Sequence, residues 1–158
     1  MITVAGIGAD GWDGLPDAAR RALESAEVVM GGPRHLDLLP ASVRAERVAW
    51  PSPLLPALPG LIERHAGREV CVLASGDPMF YGIGSTLVRL VGAAGVRVLP
   101  HVSSLSFACA RLGWPVEQVE TVSLVGRPPE TLNAAALPGR RIVVLGPGPA
   151  LRPRSPPC

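Results

Sequence analysis

The sequence contains no lysine and few aromatic residues, and both absences bear on what it can bind. Its 158 residues include 15 basic side chains, all arginine, and 13 acidic ones, for a formal net charge of +2. A nucleic-acid surface needs a concentrated basic patch, whereas these arginines are scattered. Single strands also need stacking aromatic side chains, and aromatic residues make up only 4% of the chain. We therefore expect no nucleic-acid partner.

Cysteine and long apolar runs are scarce as well. Cys71, Cys109 and Cys158 form no CxxC pair and no cluster with histidine at zinc spacing, so no metal site is predicted. An odd number of cysteines without a disulfide framework fits a reducing cytosol. The amino terminus has no basic segment, and no apolar stretch approaches about 18 residues. We expect a cytoplasmic protein without a signal peptide or a membrane-spanning helix.

Short apolar segments alternate with helical segments along most of the chain. The predicted strands are 2–7, 28–30, 69–74, 96–99, 121–125 and 141–145, and the predicted helices are 16–25, 34–39, 61–65, 85–91 and 104–112. The prolines from Pro51 to Pro59 indicate an irregular stretch. Alternating strands and helices predict an α/β fold with a mainly parallel sheet. In such sheets, ligands bind at the carboxyl ends of the strands.

Residues 6–11 spell GIGADG, which matches the glycine pattern of dinucleotide-binding proteins. That function needs a helix immediately after the glycines and an acidic residue at the end of the second strand. Here Trp12–Pro16 delays the helix, and the second strand ends in Met30, Gly31 and Gly32. A tight glycine loop bordering a cleft is the better interpretation.

The segment ASGDPMFYGIG, residues 74–84, follows the clearest predicted strand. Its small residues let the backbone approach a ligand closely, and Asp77 precedes a proline, which favours an extended conformation. Such a loop can offer backbone polar groups to a flat, polar ligand such as adenosine. From local chemistry alone, an ordinary strand–helix turn explains the segment equally well.

Five segments together carry a family resemblance. In chain order they are GIGADGWDGL, VVMGGPRHLDLLP, LASGDPMFYGIGSTLVR, SSLSFACARLGWP and VSLVGRP. They resemble the tetrapyrrole (corrin/porphyrin) methylase family, and within it the precorrin-6Y methylase branch. The resemblance runs from about residue 3 to residue 145. It implies a two-domain α/β methyltransferase that binds S-adenosyl-L-methionine in the cleft between its domains.

The resemblance also implies roles for individual residues. It implies cofactor contacts at Ser75, Gly76, Asp77, Phe80, Ser103, Ser104 and Leu145, and substrate contacts at Gly8, Asp10 and Gly11. We accordingly predict a cofactor-binding α/β domain over 1–118 and the start of a second α/β domain, largely missing, over 119–145. A disordered tail rich in proline, glycine and arginine is expected over 146–158.

The implied reaction is methylation of C5 of a precorrin-7-type ring, with or without cobalt, in cobalamin biosynthesis. Because the methyl donor is already a strong electrophile, the enzyme must mainly align the reacting atoms. Asp77 and Asp10 are candidates for a base that takes up the released proton, or else orient the loop or cofactor. Arg34 and Arg127 are candidates for pairing with ring carboxylates, or else are simply solvated. His35 is a candidate for packing or capping.

The segment after Leu145 has no helical pattern, although an α/β chain would normally place a helix there. We therefore expect a truncated or frameshifted form of such an enzyme, with weak cofactor binding and little turnover. Exposed apolar surface would favour a homodimer. C15 methylation and decarboxylation would fall to a partner protein. Another tetrapyrrole methylase branch and a non-catalytic fragment are the alternatives.

Overall fold

The structure, a computed structural model, describes residues 1–146. Its strands are β1 (Ile2–Ile7), β2 (Val28–Gly31), β3 (Glu46–Ala49), β4 (Val70–Ser75), β5 (Val96–Leu99), β6 (Val119–Ser123) and β7 (Arg141–Leu145). Its α-helices are α1 (Asp17–Ser25), α2 (Pro33–Leu36), α3 (Leu54–Arg64), α4 (Ile83–Val91) and α5 (Ser104–Leu112). Contacts divide the chain into two compact units, Met1–Ser103 and a second from Ser104 onward.

The first unit is built on a five-stranded sheet in the order β3-β2-β4-β1-β5. Every pairing in this sheet is parallel. In the central pair, β1 and β4 run in register from Ile2 opposite Val70 to Ile7 opposite Ser75. The predicted α/β fold with a mainly parallel sheet is therefore confirmed.

Helices cover both faces of this sheet. The connections after β1 and β2 lead towards the β3 edge of the sheet, whereas those after β3 and β4 lead towards the β5 edge. Because crossovers between parallel strands are right-handed, the two sets of connections lie on opposite faces of the sheet. The two hydrophobic clusters agree with this arrangement. Leu23 of α1 packs with Val29 and Leu73 on one face, whereas Leu58 and Leu87 of α3 and α4 belong to a separate cluster.

Strand β3 and most of α3 were missed at the sequence level. Strand β3 lies at the edge of the sheet, and Glu46, Arg47 and Ala49 are exposed, so it has no apolar run to signal it. Helix α3 begins at Leu54 and contains Pro59, although proline in a helix interior normally breaks it. Leu58 and Leu61 are buried, and this tertiary packing stabilises the helix despite the proline.

The second unit contains α5 and the parallel pair β6–β7, in register from Val119 opposite Arg141 to Ser123 opposite Leu145. A small cluster of Val122, Leu124 and Ala135 is buried here. The division between the units falls before α5, earlier than the predicted domain boundary at 118/119, which stays a prediction. The predicted tail, 146–158, lies outside the described residues except for Gly146.

Cys71 and Cys109 are free and buried. Burial raises the pKa of the Cys71 thiol to about 12, so this side chain behaves as a small core residue, because the thiolate is the reactive form. Within residues 1–146, none of the helices has the length and apolar character needed to cross a membrane.

Helix α4 offers a matched test of the packing. Leu87 is fully buried whereas Leu90 on the same helix is 41% exposed. We expect Leu87→Ala to lower the free energy of unfolding by about 2–5 kcal/mol, because it leaves a cavity between α4 and the sheet. Leu90→Ala should change it by less than about 0.5 kcal/mol. Urea denaturation followed by circular dichroism measures both, and equal losses would contradict this packing.

Candidate functional site

The carboxyl ends of β1 and β4 form a topological switch point. These strands are neighbours, but the helices that follow them, α1 and α4, contribute to different hydrophobic clusters on opposite faces. Loops that leave adjacent strands towards opposite faces open a crevice at the sheet edge, where ligands of such folds bind. Residues 8–16 and 76–82 follow β1 and β4 directly and so lie at this end of the sheet.

The loops after β4 and β5 both approach strand β1 closely at Gly6. The Gly76 amide donates a hydrogen bond to the Ile7 carbonyl at 3.0 Å, which ties the loop after β4 to the end of β1. A methyl group placed on Gly6 would lie 2.7 Å from the backbone nitrogen of His101 and would overlap the Gly76 carbonyl oxygen. Only glycine allows the loops that follow β1, β4 and β5 to meet in this way.

The loop after β4 is held by its own hydrogen bonds. The Asp77 side chain accepts a bond from the Met79 amide at 2.8 Å, and the Asp77 carbonyl accepts one from Phe80 at 3.1 Å. The buried Pro78 carbonyl accepts the Gly84 amide at 3.0 Å, where α4 begins. One carboxylate oxygen of Asp77 is thus engaged in the loop, which supports an orienting role.

Gly76 takes a positive φ of 56°, a conformation that glycine adopts without strain. Phe80 is half-buried. Its ring meets the Tyr81 ring edge to face, with 5.0 Å between the centroids.

Ser75 and His35 form a pair at this edge. Side chains alternate between the faces of a strand, so Ser75 lies on the same face as Cys71 and Leu73, the face covered by α1 and α2. His35 of α2 therefore meets Ser75, with 2.9 Å between its Nε2 and the serine Oγ. A cavity of about 230 Å³ adjoins the pair, lined by Gly32, His35, Trp50, Leu73, Ala74, Ser75, Gly82 and Ile83.

The surroundings of His35 favour the neutral form of its imidazole. Burial lowers its pKa, and the positive charge of Arg34 lowers it further. Its other ring nitrogen, Nδ1, is buried and has no hydrogen-bond partner within residues 1–146. Among these described residues, the pair therefore lacks the acidic third member that orients histidine in hydrolase triads.

The first loop is anchored by a second histidine. Nε2 of His101, whose side chain is 7% exposed, donates to the Gly14 carbonyl at 3.2 Å and lies 3.8 Å from the Asp10 carboxylate. That carboxylate packs against Gly8 and Gly14, where side chains would collide with it. Gly11 takes a positive φ of 63°. Gly8, Asp10 and Gly11 thus share one loop beside the crevice.

The remaining predicted residues divide between the two units. Arg34 is exposed on α2, next to His35, and Ser103 closes the first unit. Ser104, Arg127 and Leu145 belong to the second unit, and their part in the site stays a prediction. Within residues 1–146, no group of three His, Cys, Asp or Glu side chains is arranged to hold a metal ion.

Sequence reasoning gave His35 only a packing or capping role and found no partner for His101. The partners of His35 and His101 lie 40 and 87 positions away in the chain, so no local spacing reveals them. Side chains alternate between the two faces of β4, and this alternation places Ser75 on the face that α2 covers. Using it requires the order of the strands in the sheet, which the sequence alone did not provide.

Comparison with known proteins identifies the family. The family model described as Tetrapyrrole (Corrin/Porphyrin) Methylases matches residues 1–153. The chain belongs to this family. A precorrin-6Y C(5,15)-methyltransferase [decarboxylating] from Mycobacterium tuberculosis is 51% identical over 146 residues, which cover 92% of this chain and 36% of that protein. The chain thus spans about a third of the length of this relative.

Two solved structures of family members are similar. The precorrin-6Y methylase of Archaeoglobus fulgidus superposes with a TM-score of 0.65 at 26% identity, covering 91% of this chain and 72% of that one. The uroporphyrin-III C-methyltransferase of Thermus thermophilus, solved in complex with S-adenosylhomocysteine, gives a TM-score of 0.54 at 27% identity, covering 78% and 55%. These likenesses confirm the predicted family and its fold.

Substituting Gly6 tests the meeting of the loops. Gly6→Ala should lower the free energy of unfolding of the first unit by about 3 kcal/mol, because the new methyl group collides with backbone atoms that cannot rotate away. Gly60→Ala is the control, since the added methyl in α3 would have no atom within 4 Å beyond its chain neighbours and the backbone of its own helix. It should stabilise the helix by about 0.5–1 kcal/mol. Urea denaturation of both variants checks this, and an unchanged Gly6→Ala midpoint would contradict the close approach.

Proposed function

We propose that this chain binds S-adenosyl-L-methionine at the β1–β4 crevice and serves the C5 methylation of a precorrin ring in cobalamin biosynthesis. The observation that carries the proposal is the close approach at Gly6, which brings the Ser75–Asp77 loop to a switch point of the sheet. Family membership supports the cofactor, and a relative solved with S-adenosylhomocysteine supports it further.

The residues present suit this cofactor. Gly6 lets the loops after β4 and β5 approach β1 closely, and Gly76 adds no side chain at the end of β4, so backbone polar groups can approach a ligand there. Ser75 is exposed at the sheet edge and offers a hydroxyl, and Phe80 offers an aromatic face. When bound, the cofactor supplies an electrophilic methyl group on a sulfonium. The task left to Ser75, Gly76 and Asp77 is to hold the ligand in one orientation.

Substrate binding in this proposal relies on charge and on the first loop. A precorrin carries several carboxylates, and exposed Arg34 can pair with one of them through charge-assisted hydrogen bonds. Asp10 lies on the first loop, beside the crevice. Arg127 in the second unit is a further candidate. The ring is electron-rich, so the attacking carbon needs no activated serine or cysteine.

The C5 assignment is the finer part of the proposal. The M. tuberculosis relative carries C5 and C15 methylation and decarboxylation in its name, and this chain corresponds to about a third of its length. We assign the C5 step to this chain, and C15 methylation with decarboxylation to a partner or to sequence outside it. A homodimer and a cytoplasmic location complete the proposal.

Calorimetric titration of the 158-residue chain with S-adenosylhomocysteine tests cofactor binding. We expect a Kd of about 0.1–1 mM, equivalent to roughly −5 kcal/mol. Ser75→Ala should weaken binding about tenfold, because it removes the hydroxyl at the crevice. Ser25→Ala is the control, since the exposed Ser25 ends α1 and its hydroxyl donates to the Ala22 carbonyl of the same helix.

The outcomes separate the candidate functions. No binding at millimolar ligand would favour a non-catalytic fragment and overturn the proposal. If binding is found, incubation with ¹³C-methyl-labelled cofactor and a precorrin-7-type ring locates the new methyl by NMR. Transfer to a carbon other than C5 would indicate another branch of the family.

Asp77 allows its two candidate roles to be separated. Asp77→Asn keeps an oxygen that can accept the Met79 amide, so an orienting role predicts a loss of kcat below about tenfold. A general base would predict a loss of about 10²–10⁴ in the same variant. Asp77→Ala removes the loop hydrogen bond and should weaken cofactor binding in either case. We expect the smaller loss for Asp77→Asn, measured by single-turnover methyl transfer.

A further inference from the structure

The Ser75–His35 pair carries an inference that rests on the proposed function. Ser75 lies in the proposed cofactor loop, and its Oγ is 2.9 Å from His35 Nε2. A hydroxyl has one proton and can direct it either to the imidazole or to a ligand. The position of the imidazole proton decides between these two directions.

The burial of the ring favours one tautomer. Burial and the neighbouring Arg34 lower the pKa of His35, which favours the neutral ring, in which only one nitrogen carries a proton. Nδ1 is buried, with no partner within the part of the chain that the structure describes. A proton on Nδ1 would leave a buried N–H donor unsatisfied, and such orphaned donors are rare. A proton on Nε2 instead forms a hydrogen bond to Ser75.

With the proton on Nε2, the imidazole donates and Ser75 Oγ accepts. The serine proton then points away from His35. Ser75 is exposed and follows Ala74, at the edge where the Gly76 amide bonds to the end of β1. The hydroxyl is therefore available to donate to an acceptor oxygen in the crevice.

We propose that His35 is a positioning residue that fixes Ser75 as a hydrogen-bond donor to an oxygen of the bound cofactor. His35 does not touch the reacting atoms and takes up no proton. It acts through Ser75 and raises cofactor affinity by restricting the hydroxyl to the ligand-facing orientation. Burial and the Arg34 charge lower the pKa of His35 and so favour the neutral imidazole.

The first measurement needs no ligand. Long-range ¹H–¹⁵N NMR of the 158-residue chain reports which imidazole nitrogen carries the proton. We expect His35 to show the Nε2–H tautomer near neutral pH. The Nδ1–H tautomer would overturn the proposal, because Ser75 would then donate to His35 rather than to a ligand.

The second measurement is a double-mutant cycle on S-adenosylhomocysteine binding. His35→Leu keeps much of the ring's volume but removes the donor, so it should weaken binding about tenfold, close to the loss in Ser75→Ala. Adding His35→Leu to Ser75→Ala should have little further effect, because the hydroxyl is already absent. His35→Gln retains an N–H donor and should bind within about threefold of wild type.

The outcomes distinguish this inference from the proposed function. If wild type does not bind S-adenosylhomocysteine, the proposed function fails and this inference fails with it. If wild type binds but His35→Leu is unchanged, only the role of His35 is overturned. The positioning role is also overturned if the losses of affinity in His35→Leu and Ser75→Ala are additive, or if His35→Gln binds as weakly as His35→Leu. Either result would indicate that His35 acts through packing. Thermal melting of each variant controls for loss of fold.

Discussion

The register between β1 and β4 is the constraint on which the candidate site depends. Because Ile7 lies opposite Ser75, both strands end at the same level, and the Gly76 amide can bond to the Ile7 carbonyl. A shift of one residue would turn Ser75 to the other face and away from α2. The absence of a side chain at Gly6 then lets the loop after β5 join them. Backbone geometry thus assembles the crevice before any catalytic side chain is considered.

Two half-buried histidines consolidate this arrangement from different sides. His101 bonds to the Gly14 carbonyl and packs near Asp10, which anchors the loop after β1. His35 bonds to Ser75, which connects α2 to the end of β4. Each has one ring nitrogen without a partner among the residues described. Buried polar groups left without partners cost stability, so these positions are better explained by a demand on loop geometry than by packing alone.

The sequence predicted those features whose causes are local. Buried strands such as β1 and β4 are continuous apolar runs, and the glycine-rich loops between strand and helix stand out from composition. The exposed edge strand β3 has no such pattern, and α3 forms despite Pro59 because tertiary burial of Leu58 and Leu61 outweighs the local penalty. His35 and His101 could not be assigned partners, because their contacts depend on strand order. The cofactor and substrate assignments came from the resemblance, not from periodicity or spacing.

Methyl transfer from a sulfonium requires little chemical activation by the enzyme but accurate alignment of the reacting atoms. Under the proposed function, no residue must be activated as a nucleophile, so the Ser75–His35 pair needs no acidic third member. Misplacement of the reacting atoms by about 1 Å can cost on the order of 10²-fold in rate. Residues already engaged in internal hydrogen bonds, such as Asp77 and Ser75, suit this demand, because each such bond removes conformations that would misplace the ligand. For the same reason, side chains that are not chemically activated can still control the rate at this end of the sheet, because they fix the orientation of the ligand.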